Sequence, residues 1–277
     1  MALFSSRKRK PARTSTVGEN IRFLVTLIVL AVLLRSLIAA PFSIPSESML
    51  PRLLIGDYLF VAKWPYGYSR YSFPFGPPLF SGRILGSAPK RGDVVVFKAP
   101  PGNDVDYIKR VIGLPGDQVQ MKNGQLFLNG DAIPKVRVAD LMVPVSPNSP
   151  CRENPGELQK QETEKDGSVV CRYPRFRETL PGGKSYDVLD TGDAGQADNT
   201  PVYLVPEDRL FLMGDNRDHS ADSRFPAVEG GGIGFVPQEN LVGRAMIGFW
   251  STDGSASWLL PWTWFTAARW SRIGEGF

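Results

Sequence analysis

Histidine and cysteine are nearly missing from this chain, which has one histidine and two cysteines in 277 residues. Zinc sites are built mainly from several such ligands, and no His-Glu-x-x-His pair is present, so a zinc protease is not expected. The sequence indicates no metal and no other cofactor. With one histidine in the chain, a Ser-His-Asp triad could use only His219 as its base.

Heptads, repeats of fixed period and a second long apolar segment are also missing. The formal net charge is only +4, and much of the positive charge lies near the N-terminus. This distribution favours a role in membrane topology over binding of nucleic acid. The 28 glycines and 24 prolines, with many aromatics and valines, are typical of a body rich in β-strands and turns.

One strongly apolar segment is present, from Phe23 to Ala40, and only Arg35 interrupts it. Eighteen helical residues span about 27 Å, close to the thickness of a bilayer core. A basic tail, residues 1–22, precedes the segment. The positive-inside rule predicts a single-pass protein with a cytoplasmic N-terminus and an extracytoplasmic (periplasmic) body. The short tail and the absence of a transit-like presequence favour the bacterial inner (plasma) membrane.

A cleavable signal peptide is the alternative interpretation of the same segment. A cut after Ala40 would place Ile38 at position −3, and a cut after Ala39 would place Leu37 there. Neither is the small residue that such a cut requires. A retained anchor, residues 23–40, is therefore favoured.

Short β-like runs fill the rest of the chain. Asn123-Gly124 lies between two of them and indicates a hairpin turn. Val94 to Val96 form an unbroken apolar run, as in a strand covered on both faces. We expect a catalytic β-domain in two parts, residues 41–130 and 201–277, with an inserted domain at 131–200. The first part contains an aromatic excursion, residues 64–91.

Three stretches carry a resemblance to a known family. They are "IPSESMLP" (Ile44 to Pro51), "DYIKRVIGLPGD" (Asp106 to Asp117) and "GDNRDHSADSRFP" (Gly214 to Pro226). In this order, behind an anchor, the sequence resembles the type I signal peptidases, membrane-anchored serine/lysine endopeptidases that remove signal peptides. The resemblance covers the anchor and most of the chain, and weakens over residues 131–200 and the aromatic excursion.

The resemblance implies a fold and a set of roles. The fold is mainly β: one N-terminal transmembrane helix, then an extracytoplasmic β-barrel-like catalytic body with an inserted smaller β-rich domain. Ser48 matches the nucleophile and Lys109 the base. Ser46 matches the oxyanion donor, and Ser220 matches the serine that hydrogen-bonds the lysine. Two supporting ion pairs match Asp222 with Arg224 and Asp215 with Arg110. Arg52 and His219 depart from the small or neutral polar residues usual there, and neither change removes a catalytic group.

The residues themselves support a lysine base. Serine is a poor nucleophile unless a base takes its proton, and His219 has its neighbours Asp218 and Ser220 only in sequence, which does not supply a triad's orienting contact. A solvated lysine, with a pKa near about 10.4, is protonated at neutral pH, so burial must lower the pKa by several units. Lys109 lies in an apolar strand-like run where such burial is expected.

The implied substrates are preproteins with signal peptides, cleaved after small residues at −3 and −1 at the outer face of the membrane. Ser48 follows the anchor closely, so it would act at that depth beside the lipid bilayer. An extended substrate is expected to pair with the strand from Asp106 to Ile108. The pockets that exclude larger side chains are implied to be lined by Phe42, Ile44, Pro45, Met49, Leu53, Asp106, Tyr107 and Ile108.

Two other classes of protein remain as alternatives. A self-cleaving Ser/Lys protease of the repressor type shares the chemistry, but it would be cytoplasmic and carry a DNA-binding helical domain. An exported β-domain that acts as a non-enzymatic assembly or binding factor needs only the anchor and the strands. It leaves Ser48, Lys109 and Ser220 unexplained. In an exported body, Cys151 and Cys171 are expected to form one structural disulfide.

Overall fold

The structure is a computed structural model that describes residues 16–78, 80–192, 195–257 and 259–277. Five basic residues of the predicted cytoplasmic tail lie outside the described residues: Arg7, Lys8, Arg9, Lys10 and Arg13.

The chain begins with a long apolar helix. Helix α1 spans Val17–Leu33 and continues as a π-helical segment, Leu34–Ile38. A capping box starts the helix, because Thr16 and Glu19 each bond the backbone N–H of the other. The 22 residues of Val17–Ile38 are long and apolar enough to cross a membrane. The helix therefore does not coincide with the predicted anchor, residues 23–40: the cap starts the helix earlier, and Ala39 already belongs to a strand.

Seventeen strands are found in the described residues. In chain order, β1 to β17 are Ala39–Ser43, Asp57–Ala62, Val94–Lys98, Asp106–Gly113, Gln118–Lys122, Gln125–Leu128, Asp131–Ala132, Lys135–Arg137, Leu141–Pro144, Lys160–Thr163, Val169–Tyr173, Arg175–Thr179, Ser185–Leu189, Tyr203–Leu204, Arg209–Met213, Val236–Pro237 and Leu241–Ser251. A second, short helix, α2, spans Thr263–Thr266.

The main sheet has seven strands in the order β1-β2-β17-β3-β4-β15-β16, and every described pairing between them is antiparallel. Strand β17 is bulged at its contacts with both β2 and β3, which bends it. Pro41 lies on the edge strand β1, where its missing N–H costs no ladder bond. The expected mainly β class, with one N-terminal apolar helix before the β body, is confirmed.

Apolar residues pack against both faces of this sheet. Val94, Val95 and Val96 are all buried on β3, as the unbroken apolar run predicts. One cluster includes Ile44, Met49, Leu53 and Ile108. A second covers the other face, around β15 and β16. Strand β4 runs between the clusters, so its central side chains lie out of water.

Residues 131–200 contain two three-stranded sheets, β10-β11-β9 and β13-β12-β8, and strand β7, which extends the sheet β14-β5-β6-β7. In this last sheet, Asn123 and Gly124 form the turn between β5 and β6, with φ of 48° and 69°. The predicted hairpin is confirmed, and its turn uses the left-handed conformation that Asn and Gly tolerate best.

Cys151 and Cys171 form a disulfide with their Cα atoms 5.3 Å apart. Cys171 lies on β11 and is buried in a cluster with Leu50, Val143 and Leu189. The bridge therefore ties a loop of residues 131–200 to a strand that packs beside the chain following Ser48.

Replacing both cysteines with alanine should lower the free energy of unfolding by about 3 kcal/mol, because the bridge closes a loop with a sequence separation of 20. Urea denaturation of the full chain measures the difference, and wild type unfolded with reductant should match the double variant. Uptake of two thiol labels per unreduced, denatured chain would contradict the bridge.

Candidate active site

Ser48 lies on the connection between β1 and β2, just after the apolar helix. Buried neighbours hold this connection, since Met49 and Leu53 are both fully buried. The Leu53 N–H donates to the Met49 carbonyl oxygen at 2.9 Å, and the Asn216 N–H donates to the Ser48 carbonyl oxygen at 3.1 Å. The backbone of Ser48 is thus fixed from two directions.

Lys109 lies in the middle of β4 and pairs with Val95 on β3. Its Nζ is 2.6 Å from Ser48 Oγ and 3.1 Å from the Ile108 carbonyl oxygen. Ser48 is 7% exposed and Lys109 only 4%. The sheet therefore brings the two predicted catalytic side chains into direct contact away from water.

Burial lowers the pKa of Lys109 to about 8. Asp222 and Asp215 oppose the shift, and Arg224 adds to it. Removing the ammonium from water disfavours its charged form, and this effect outweighs the nearby carboxylates. A substantial fraction of Lys109 is therefore neutral slightly above neutral pH, as a general base requires.

Both carboxylates near Lys109 are neutralised by an arginine of their own. Asp222 and Arg224, fully buried, pair through two contacts of 2.9 Å. Asp215 and Arg110 pair through contacts of 2.7 and 2.6 Å. Each guanidinium group binds both oxygens of its carboxylate. This pairing reduces the negative charge that would otherwise stabilise the protonated form of Lys109. The structure forms both ion pairs that the resemblance implies.

Glycine at position 214 allows the loop after β15 to approach Ser48. A Cβ there would lie 2.2 Å from Ser220 Oγ and 2.5 Å from the Ser48 carbonyl oxygen. Both distances are far below contact, so any side chain would push the loop away. The Gly214 N–H also donates to Asp222 Oδ2 at 3.0 Å, which joins the start of the loop to its end.

The two remaining serines differ in their contacts. Ser46 Oγ lies 3.4 Å from Ser48 Oγ, within reach of the position where an oxyanion would form. Ser220 is buried, but its Oγ has no hydrogen-bond partner among the described residues. The expected bond from Ser220 to Lys109 is therefore not formed in this structure, because the hydroxyl is placed against Gly214.

The predicted pocket residues fall into two groups. Ile44, Met49, Leu53 and Ile108 lie in one buried cluster, against which Phe42 packs. Tyr107 packs against the cluster on the other face, Pro45 is exposed, and Asp106 pairs with Lys98 at 3.1 Å. The first group therefore forms an apolar wall beside Ser48, whereas Asp106 and Tyr107 lie at the exposed end of β4 and Pro45 lies on the connection between β1 and β2.

His219 is not positioned to act on Ser48. Its Nε2 lies 2.8 Å from a Glu157 oxygen and its Nδ1 lies 3.4 Å from a Glu47 oxygen. The hydrogen bond to Glu47, and then that to Glu157, raises the pKa of His219 to about 9 despite burial. The imidazole is therefore protonated at neutral pH, with both nitrogens directed at carboxylates, and cannot serve as a base.

Sequence reasoning missed a third buried ion pair. Arg217 bonds both oxygens of Glu178 at 2.6 Å, and the Tyr186 hydroxyl donates to Glu178 at 2.9 Å. Next to this pair, Leu189 and Asn216 form a parallel bridge. The loop that carries Ser220 is thus joined to β12 and β13. Arg217 stands in a recognisable motif, but Glu178 lies in a stretch without one.

Comparisons with known proteins agree on one family. The family model described as "Signal peptidase, peptidase S26" matches residues 17–250. The signal peptidase I of Rickettsia typhi is 36% identical over 245 residues, 86% of this chain and 81% of its own. The signal peptidase I of Rickettsia akari is 38% identical over 234 residues, which are 82% of this chain and 77% of the relative. A solved signal peptidase I from Enterococcus faecalis is 24% identical, with a TM-score of 0.27; the match covers 57% of this chain and 97% of that chain.

Arg217→Met should lower the free energy of unfolding by about 3–5 kcal/mol, because Glu178 would keep a buried charge without its cation. The matched control is Arg177→Met, one residue from Glu178 on β12, where the pair with Asp187 is exposed. That loss should stay below about 1 kcal/mol. Urea denaturation of the full chain measures both variants. Equal losses of unfolding free energy would contradict the prediction that the buried pair contributes more to stability than the exposed one.

Proposed function

Because the chain belongs to the signal peptidase family, peptidase S26, and is thus a serine endopeptidase, we propose that Ser48 is its nucleophile and Lys109 its general base. The observation that carries the proposal is the 2.6 Å contact between Ser48 Oγ and Lys109 Nζ. Membership in a peptidase family decides against the non-enzymatic alternative.

In the proposed reaction, neutral Lys109 accepts the Ser48 proton as Oγ attacks the carbonyl carbon of the scissile peptide bond. Ser46 Oγ and the Ser48 N–H donate to the oxyanion of the tetrahedral intermediate. The Lys109 ammonium then gives its proton to the leaving amine, and the bond breaks to an acyl-enzyme. Lys109 next deprotonates a water molecule that hydrolyses the ester and releases Ser48.

Ser220 is proposed to orient Lys109 once substrate excludes water from the site. Its buried hydroxyl has no partner among the described residues, a condition that costs about 1–3 kcal/mol. Rotation toward Nζ would remove this cost and align the lysine. The Asp222–Arg224 and Asp215–Arg110 pairs support the same geometry by holding both ends of the loop.

We propose that the substrates are signal-peptide-bearing preproteins, cut after small residues at −3 and −1. The exposed end of β4 supports this mode of binding. Residues Asp106 to Ile108 pair with β3 on one edge, whereas the described register with β15 starts only at Arg110. The other edge of β4 is therefore available for an extended peptide, whose alternate side chains would enter the apolar wall beside Ser48.

The proposed location is the outer face of a bacterial inner membrane, with a cytoplasmic N-terminus and one membrane span. The span from Val17 to Ile38 supports the anchor. Large apolar side chains are also exposed near the helix end and near the C-terminus, including Trp64, Phe75, Trp262 and Phe265. Trp and Phe at such positions favour contact with the interface of a bilayer.

The two serines should differ in their effect on turnover. Ser48→Ala removes the nucleophile and should abolish cleavage of a signal-peptide-bearing preprotein. Ser46→Ala removes one oxyanion donor and should reduce kcat by about 10²–10³-fold, because the Ser48 N–H remains. Single-turnover assays on folded variants measure both. Complete loss in both variants would mean that the roles are assigned wrongly.

The pH dependence should identify the base. Since burial lowers the pKa of Lys109 to about 8, kcat/KM should rise with pH through about 8 and level off above it, as the neutral lysine forms. Lys109→Met keeps the apolar packing without the base, so it should fold and be inactive.

Two controls separate Lys109 from the other titrating groups. His219→Ala should leave activity nearly unchanged. The apparent pKa should also stay near 8 in Lys63→Gln, although burial lowers the pKa of Lys63 to the same value. Retained cleavage in Lys109→Met together with loss in His219→Ala would overturn the serine/lysine mechanism.

A further inference from the structure

A polar cavity of about 730 Å³ lies where the apolar helix meets the main sheet. Its walls come from the end of the helix, strand β1, the start of the aromatic excursion and the loop before β4. Four cationic side chains and two carboxylates line it: Arg35, Lys63, Arg70, Lys98, Asp104 and Asp106. Its size is in the range of small-molecule sites.

The two carboxylates do not neutralise the cavity. Lys98 lies 3.1 Å from Asp106 and donates to the Asp104 carbonyl oxygen at 3.0 Å, so Lys98 and Asp106 satisfy each other. This leaves the three cations Arg35, Lys63 and Arg70 with a single further carboxylate, Asp104. The cavity keeps an excess of positive charge that an anion would balance.

Lys63 is the group that most requires such an anion. It is 3% exposed, and its ammonium has no hydrogen-bond or ion-pair partner in the described part of the chain. Its Nζ lies over the ring of Phe42, 5.8 Å from the ring centroid. Burial lowers the pKa of Lys63 to about 8, with Asp106 opposing the shift. Its Nζ is not one of the fully buried polar atoms that lack a partner, so the ammonium faces the cavity, where a ligand of opposite sign would stabilise its charged form.

The depth of the cavity restricts where that ligand comes from. The backbone N–H of Lys63 donates to the Ile38 carbonyl oxygen at 3.0 Å, and the Tyr68 hydroxyl donates to the Leu37 carbonyl oxygen at 3.0 Å. These bonds attach the cavity to the last turn of the apolar helix. Phe75, on the cavity wall, is completely exposed. A cavity at the end of a membrane span, beside an exposed aromatic side chain, lies at the level of lipid head groups.

We propose that this cavity binds the phosphodiester of an anionic phospholipid head group. Arg35 and Arg70 would bind the phosphate oxygens, since guanidinium groups match phosphate geometry, and the Arg70 guanidinium also donates to the Tyr71 hydroxyl of the cavity wall. Lys63 would supply the compact charge at the inner end. Bound lipid would fix the height of the main sheet above the bilayer, next to Phe42 and Asp106 at one end of the substrate path.

The test measures binding of a short-chain phosphatidylglycerol to the purified full chain in an uncharged detergent, by ³¹P NMR titration. Short-chain phosphatidylcholine and inorganic phosphate serve as separate probes. We expect phosphatidylglycerol to bind at least about tenfold more tightly than either. Equal binding of phosphatidylcholine would overturn the requirement for an anionic lipid. Displacement of the lipid by an equal concentration of inorganic phosphate would assign the cavity to free phosphate.

Three variants test the site itself. Lys63→Met, which keeps the buried stem, and Arg70→Gln, on the half-buried rim, should each raise the dissociation constant for phosphatidylglycerol about tenfold or more. Lys165→Gln, at an exposed position in residues 131–200, is the matched control and should not change it. Unchanged lipid binding in both Lys63→Met and Arg70→Gln would overturn the proposal.

The outcome does not depend on the proposed catalytic roles. Ser48→Ala should bind phosphatidylglycerol as wild type does, even though it cleaves nothing. If Lys63→Met instead raises KM for a preprotein and leaves lipid binding unchanged, the cavity belongs to the substrate and the lipid proposal is wrong.

Discussion

In the proposed mechanism a lysine must lose its proton near neutral pH while two carboxylates lie close to it, and the structure around Ser48 and Lys109 meets this constraint. Removal from water lowers the pKa of Lys109, but bare carboxylates at the positions of Asp215 and Asp222 would raise it again. Bidentate pairing with Arg110 and Arg224 resolves the conflict. In the proposed mechanism the two arginines would thus favour the neutral form of Lys109, Arg224 by lowering its pKa directly and Arg110 by pairing with Asp215.

The same constraint explains why the loop after β15 is held so firmly. Asp215 and Asp222 both lie on this loop, so its displacement would uncover charge beside Lys109. Gly214 allows the close approach, and Arg217 anchors the middle of the loop on Glu178 of β12. The strands inserted at residues 131–200 thus form part of the support of the site, although they lie far from Ser48 in sequence.

The position of the site relative to the apolar helix follows from a short connection. The helix ends at Ile38, strand β1 starts at once, and Ser48 follows the strand. Few residues separate the apolar helix from Ser48, so in the proposed arrangement the site lies close to the bilayer surface. The cationic cavity around Lys63 lies between the end of the helix and the sheet. Like the site around Ser48, it therefore lies close to the end of the helix.

Much of this could be predicted from the sequence, because local patterns carry it. The apolar run, the Asn123-Gly124 turn, the buried run of Val94 to Val96 and the motifs around Ser48 and Lys109 each depend on neighbours in the chain. The helix itself does not coincide with the apolar run, because the cap at Thr16 starts it earlier. The serine/lysine pair was predictable as a hypothesis, since one histidine left few other bases.

Only the tertiary structure decided which distant charges meet. Lys109 reaches Ser48 across 61 positions, and Arg217 reaches Glu178 across 39. It also decided that Ser220 lies against Gly214 without a bond to Lys109, and that the mostly buried Lys63 lines a cavity at the end of the apolar helix. Sequence determines the type and local spacing of the groups. Their burial and pairing depend on how strands pack, because both are properties of distances between residues that the chain itself keeps apart.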